Sequence, residues 1–143
     1  MLPEGNLLTK KDLFEIWRAH KPPYIATISP AYMTDMMHKI EKSSQYKGPK
    51  LFIAHSPCPP GWDIDSASVI RIAKLAVETG MWPLKEAVHG EVTHSVIMRK
   101  RKPVEEYLRV QGRFEHLFKP VRKEKIIQQL QKQVDAYWKD VKK

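Results

Sequence analysis

A single cysteine, Cys58, in a chain of 143 residues excludes an internal disulfide framework. Without a Cys-x-x-Cys pair the chain by itself holds neither a structural zinc ribbon nor a complete iron–sulfur cluster. Glycine is sparse, six in all, and none of it forms a phosphate-cradling loop of Walker or dinucleotide type. No apolar run approaches the length of a membrane span. The carboxylates are scattered, with no pair spaced as a general acid and base. Residues 1–6 lack a basic stretch followed by an apolar one, so a cytoplasmic protein is the expectation. Internal repeats and low-complexity segments are absent as well.

What is present is ordinary globular usage, with 42% hydrophobic and 29% charged residues, enough for one compact unit and a tail. Of the net charge of +9, nearly all lies in residues 99–143, where 14 Lys and Arg face 6 Asp and Glu. We therefore divide the chain into an α/β part, residues 1–98, and a basic helical tail, residues 99–143. Such a tail suits nucleic acid, an acidic protein or an acidic subunit surface, and charge alone does not choose; a solvated Lys-rich face is the plainer reading.

Pattern predicts the elements. Thr9 with Asp12 three positions on is a variant capping box for a helix through Trp17 to about His20, and Pro22 and Pro23 stop it. Residues 24–28 read as a strand. Ser29-Pro30 is a start signal for a helix whose Met33, Met36, Met37 and Ile40 fall on one face, a stripe expected to pack in the core; Gly48-Pro49 closes it. The apolar run 51–54 reads as a strand covered on both faces in a parallel sheet. A second helix runs from a cap at Asp65 to Gly80, giving α/β alternation. Residues 84–88 and 92–96 around His89-Gly90 suggest a hairpin. Pro103 opens a further helix through Tyr107 and Leu108. The final helix, about 122–143, carries an apolar stripe through Ile126, Leu130, Val134 and Tyr137 that must cover something.

The stretch His55-Ser56-Pro57-Cys58-Pro59-Pro60-Gly61-Trp62 is where chemistry is expected. Three prolines and a glycine make a stiff loop at the C-terminal end of a strand, the place where α/β sheets put their sites. A thiol between two prolines is held as a metal ligand must be held; a small packing thiol is the alternative. A nucleophile is the weaker reading, because no partner is assignable. The histidines His20, His38, His55, His89, His94 and His116 read as solvated or locally hydrogen-bonded.

Several blocks then agree, in order, with one family. Lys10-Lys11-Asp12-Leu13, Ala19-His20, the run from Pro23 to Ser29, Gly48-Pro49, the Cys58 loop, and the run from Leu75 to Leu84 resemble the β subunit of the thiamine-diphosphate-dependent 2-oxoacid:ferredoxin oxidoreductases, the pyruvate enzyme in particular. Arg101-Lys102-Pro103-Val104-Glu105-Glu106-Tyr107-Leu108 and Gln111-Gly112-Arg113-Phe114 extend the resemblance, which covers about residues 9–118 and corresponds to the subunit's C-terminal half. Pro3-Glu4-Gly5-Asn6 looks like a point inside the family's sequence.

The resemblance implies part of a thiamine-diphosphate-binding-type parallel sheet with flanking helices, a short β-hairpin and the helical tail. It gives Cys58 the role of one ligand to the four-iron four-sulfur cluster nearest the thiamine cofactor. The other three cysteines, and the Gly-Asp-Gly motif for the magnesium-diphosphate end of thiamine diphosphate, belong to the family's N-terminal half and do not occur in this sequence. Implied partners are a chain with that half, other subunits, coenzyme A and ferredoxin; membrane and nucleic acid are not expected. The reaction implied for the complete enzyme is oxidative decarboxylation of pyruvate to acetyl-coenzyme A, with the isolated chain inactive. The open alternatives are a branched-chain 2-oxoacid enzyme and a non-catalytic basic binding module that keeps the fold.

Overall fold

The computed structural model describes residues 11–141. The first helix, α1 (Leu13–Arg18), is capped by Asp12, whose carboxylate accepts from the Glu15 backbone N–H at 3.1 Å. The cap expected at Thr9 lies outside the described residues. Lys21, in the left-handed region at φ 55°, turns the chain ahead of the two prolines, and β1 (Tyr24–Ile28) follows with four of its five residues buried.

The helix expected after Ser29-Pro30 begins later, as α2 (Met33–Ser44). Ser29 instead closes a turn: the Tyr32 N–H bonds the Ser29 carbonyl at 3.0 Å. The methionine stripe is not core, contrary to the sequence expectation. Met33, Met37 and Ile40 are 55, 46 and 42% exposed, while Lys39 and Ser43 of the same helix are buried. Burying Lys39 is tolerated because its ammonium is paired on arrival. Its Nζ donates to the Thr27 carbonyl of β1 at 2.9 Å and to Asp35 at 2.7 Å. Burial pulls the Lys39 pKa down against the pull of Asp35. Next to it Lys42 reaches Glu86 at 2.5 Å, and Glu86 also accepts from the Tyr24 hydroxyl.

After α2 come β2 (Lys50–Ala54), the short α3 (Pro59–Trp62), a 3-10 turn at Ser66–Ser68 capped by Asp65, and α4 (Val69–Glu78). Gly80, at φ 79°, ends α4 in the conformation glycine accepts without penalty. The hairpin is β3 (Lys85–Val88) and β4 (Glu91–His94), with His89 and Gly90 both at positive φ, as a two-residue primed turn requires.

The sheet order is β2-β1-β3-β4. β1 and β2 run parallel, Tyr24 beside Lys50 through Ile28 beside Ala54, with α2 as the crossover. β3 runs antiparallel to β1, and β4 antiparallel to β3, so the sheet is mixed rather than wholly parallel. A small apolar cluster of Phe14, Ile25 and Ala87, with Leu51 and Ile53 beside it, joins α1 to the sheet. The larger core is helical and takes in most of the basic segment. Ile72, Leu75 and Ala76 of α4 meet Val104, Tyr107 and Leu108 of α5 (Val104–Arg109). Phe114 and Leu117 of a 3-10 segment, Gly112–Leu117, and Leu130, Val134 and Trp138 of α6 (Glu124–Lys139) complete it. No helix among the described residues is long and apolar enough to cross a membrane.

Candidate functional site

The loop that carries Cys58 leaves the C-terminal end of β2, next to the end of β1, as expected from the sequence. Its first residue is fixed twice. The His55 N–H extends the sheet to the Ile28 carbonyl at 2.9 Å, and the ring is buried among Trp62, Trp82 and Tyr107, with centroids 5.6, 5.2 and 6.2 Å away. His55 Nε2 lies 3.2 Å from the Tyr107 hydroxyl. The Trp82 indole N–H donates to the same Ile28 carbonyl at 3.2 Å. Reading His55 as solvated or locally bonded therefore needs correction: it is a long-range core contact joining the loop to α5.

Pro57 is buried and Cys58 exposed, so the proline anchors the loop while the thiol faces outward. Cys58 precedes the first turn of α3; its carbonyl accepts from the Trp62 N–H at 2.9 Å. A Cβ on Gly61 would stand 3.3 Å from Cys58 Sγ, a tight contact that the sulfur would have to yield to. Glycine at that position keeps space clear beside the sulfur.

The far end of the loop is clamped by the 3-10 segment. The Gly112 N–H donates to the Asp63 carbonyl at 2.9 Å, and Asp63 itself sits at φ 51°, ψ 66°, a left-handed conformation that aspartate accepts more readily than most residues. A Cβ on Gly112 would fall 1.9 Å from Asp63 Oδ2 and 2.7 Å from its Cβ. The Arg113 guanidinium lies 3.6 Å over the centre of the Trp62 ring, a favourable stacked cation contact. Arg113 Nε is held by Gln111 Oε1 at 2.9 Å, and the buried Gln111 amide donates to the Tyr107 carbonyl at 2.5 Å. Sequence reasoning did not single out Gly112, Arg113 or Asp63. They lie some fifty residues apart, with no periodicity to link them, and their only signal was the place of the 111–114 block in the resemblance.

Elsewhere the structure offers less. A cavity of about 320 Å³ between α1, the sheet and α6 is lined by Phe14, Thr27, Ile53, Trp82, Lys85 and Tyr137, and Cys58 is not part of its wall. Lys85 is engaged there, 4.3 Å over the Phe14 ring and 3.8 Å from both Asp12 and Glu15. His94 pairs with the Tyr137 hydroxyl at 2.8 Å, and burial, followed by the charge of Lys85, holds its pKa below the usual histidine range. Among the described residues no three His, Cys, Asp or Glu side chains converge as a metal site.

The α/β unit presents one exposed thiol on a clamped, proline-stiffened loop, with no complete metal centre among the described residues. Comparisons with known proteins find similar enzyme subunits. No protein-family model matches the chain. It is 46% identical over 114 residues to the pyruvate synthase subunit PorB of Methanosarcina barkeri, covering 80% of this chain and 38% of that subunit. To the PorB of Thermotoga maritima it is 38% identical over 134 residues, covering 94% of this chain and 41% of the subunit. The ketoisovalerate oxidoreductase subunit VorB of Pyrococcus abyssi is 38% identical over 136 residues, with 94 and 42% covered. The chain is thus similar to part of the PorB and VorB subunits and spans about two fifths of their length.

Proposed function

We propose that this chain forms part of the β subunit of a cytoplasmic pyruvate:ferredoxin oxidoreductase, and that Cys58 supplies one thiolate to a four-iron four-sulfur cluster. The observation that carries the reading is the mounting of Cys58: an outward thiol on a loop fixed at one end by His55 and Pro57 and at the other by the Gly112–Asp63 bond and the Arg113–Trp62 stack. A cluster ligand has to be held in place, because the geometry around iron tolerates little play and the surroundings tune its potential. The donor set suits one corner of such a cluster, and the remaining thiolates come from another polypeptide, since Cys58 is the one cysteine of the sequence. The cluster would supply electron transfer between thiamine diphosphate, whose magnesium-diphosphate motif this sequence lacks, and ferredoxin. Residues 55–63 and 111–114 hold the thiol still, and Pro57 and the rings around His55 keep water from one side of the loop.

The partners in this reading are the polypeptide carrying the N-terminal half of the subunit, the other subunits, coenzyme A and ferredoxin. A second reading, oxidation of a branched-chain 2-oxoacid, is favoured by the likeness to VorB. Reconstitution tests both. The chain alone is expected to bind no cluster or thiamine diphosphate and to turn over nothing, whereas the assembled complex is expected to reduce ferredoxin with pyruvate and coenzyme A. Faster turnover of ketoisovalerate than of pyruvate would move the assignment to the second reading, and turnover of neither would overturn both.

A further inference from the structure

The free edge of β2 and the bare methionine face of α2 lie on the same flank of the molecule, and one occupant would complete both. β2 is an outer strand of the sheet, with no strand on its far side among the described residues. In a parallel strand the N–H and C=O of one residue point the same way, and successive residues alternate. Because the His55 N–H is turned to Ile28 of β1, those of Phe52 and Ala54 are turned to the open edge. A parallel strand with the core sequence Leu-Phe-Ile, left as an open edge, is an incomplete sheet; parallel sheets are normally buried, and exposed edges invite pairing.

The helix wheel of α2 points to the same side. Lys39 and Ser43 mark the line that faces the sheet. Lys42 lies roughly a quarter turn to one side of that line and reaches Glu86 of β3. Ile40 and Met33 lie roughly a quarter turn to the other side, and Met37 further round toward the outer face. In the order β2-β1-β3, the side away from β3 is the side of β2. The exposed apolar face of α2, with Met33, Met37 and Ile40 at 55, 46 and 42% exposure, therefore overhangs the unpaired edge.

We propose that this flank is the docking surface for the polypeptide carrying the part of a PorB-type subunit that the chain does not match, which adds a strand to the edge of β2 and lays an apolar face on Met33, Met37 and Ile40. The inference rests on the functional reading above and says where the subunit's two parts join. The match leaves more than half of each relative's length unaccounted for, 38% of the Methanosarcina barkeri subunit being covered, which is ample chain to furnish both a strand and a covering element. It also explains why methionines sit on the outer side of this helix: adaptable, unbranched side chains suit a surface that is core only after joining.

The test is co-expression of this chain with the N-terminal portion of the Methanosarcina barkeri PorB subunit, followed by co-purification and amide hydrogen exchange. The expected result is a stable complex in which the Phe52 and Ala54 amides exchange at least about 100-fold more slowly than in the chain alone. The double variant Met37→Glu with Ile40→Glu is expected to melt like the parent in isolation, both positions being exposed, and to lose the complex. A complex in which those amides are unprotected, or which the double variant forms equally well, overturns this docking surface and leaves the functional reading standing. No complex between two folded chains overturns both. Protection of Phe52 and Ala54 in the isolated chain, rising with concentration, would assign the edge to a second copy and overturn the proposal.

Discussion

Trp138 offers the clearest measure of how far the basic tail belongs to the fold. It sits near the end of α6, buried against the helical core. Its indole N–H donates to the Gly80 carbonyl at 3.0 Å, and Arg101 lies 5.5 Å over its ring. Gly80 is shaped to receive it, since a Cβ there would come 2.4 Å from Trp138 Nε1. Trp138→Ala removes a buried ring, which costs about 3–5 kcal/mol in well-packed cores, and leaves the Gly80 carbonyl short of a partner at about 1 kcal/mol or more. For a chain of this size about 1 kcal/mol moves the melting temperature by roughly 2–4 °C, so a fall on the order of 10 °C is expected. Trp138→Phe keeps most of the ring and loses the hydrogen bond, and should fall by about a third as much. Thermal melts followed by circular dichroism decide it. If Trp138→Ala melts within about 2 °C of the parent, α6 is an appendage and the helical core has been misread.

Two further outcomes follow from named contacts. Gly112→Ala forces a methyl into Asp63 and should cost about 1–3 kcal/mol, with chemical-shift changes concentrated in residues 55–63; a variant of parental stability and unchanged shifts would mean that the 3-10 segment does not clamp the loop. Burial works to raise the Glu86 carboxyl, but the hydrogen bonds from Lys42 and Tyr24 outweigh it and hold the pKa below the ordinary value of 4.5. A depressed folded value gives stability that is full above the ordinary value and is lost as pH falls through the folded one. Glu86→Gln should therefore lie below the parent in urea midpoint at neutral pH, the gap narrowing as the pH drops below 4.5; a gap constant down to pH of about 3 would show that Glu86 titrates normally.

Much of the frame was legible because the signals are local. β1 falls where the pattern put it, Asp65 and Gly80 bound their helical stretch, and His89-Gly90 makes the hairpin. Each depends on the chemistry of a few adjacent residues. The failures are of another kind. The Met33, Met37 and Ile40 stripe has the right period for a core face, but period cannot say which partner covers it; within the described residues the sheet takes the polar line of Lys39 and Ser43 instead, paired with Thr27, Asp35 and Ile40. The antiparallel pairing of β3 with β1 joins residues about sixty positions apart, beyond the reach of any local rule. The site divides likewise: Cys58 stands out by its prolines, whereas its supports at Gly112 and Arg113 exist only once the chain has folded back.

Cys58→Ser within the reconstituted enzyme puts the ligand role of this thiol directly to the test. The loop's shape rests on its prolines and its clamps, so the variant should fold and assemble like the parent. A serine oxygen is a poor substitute for thiolate on iron, so iron content, the electron paramagnetic resonance signal of the reduced enzyme and the rate of ferredoxin reduction should change together: iron lower or more readily lost, the signal altered, the rate reduced. If all three equal the parent's, Cys58 is not a cluster ligand and the account of this loop is wrong.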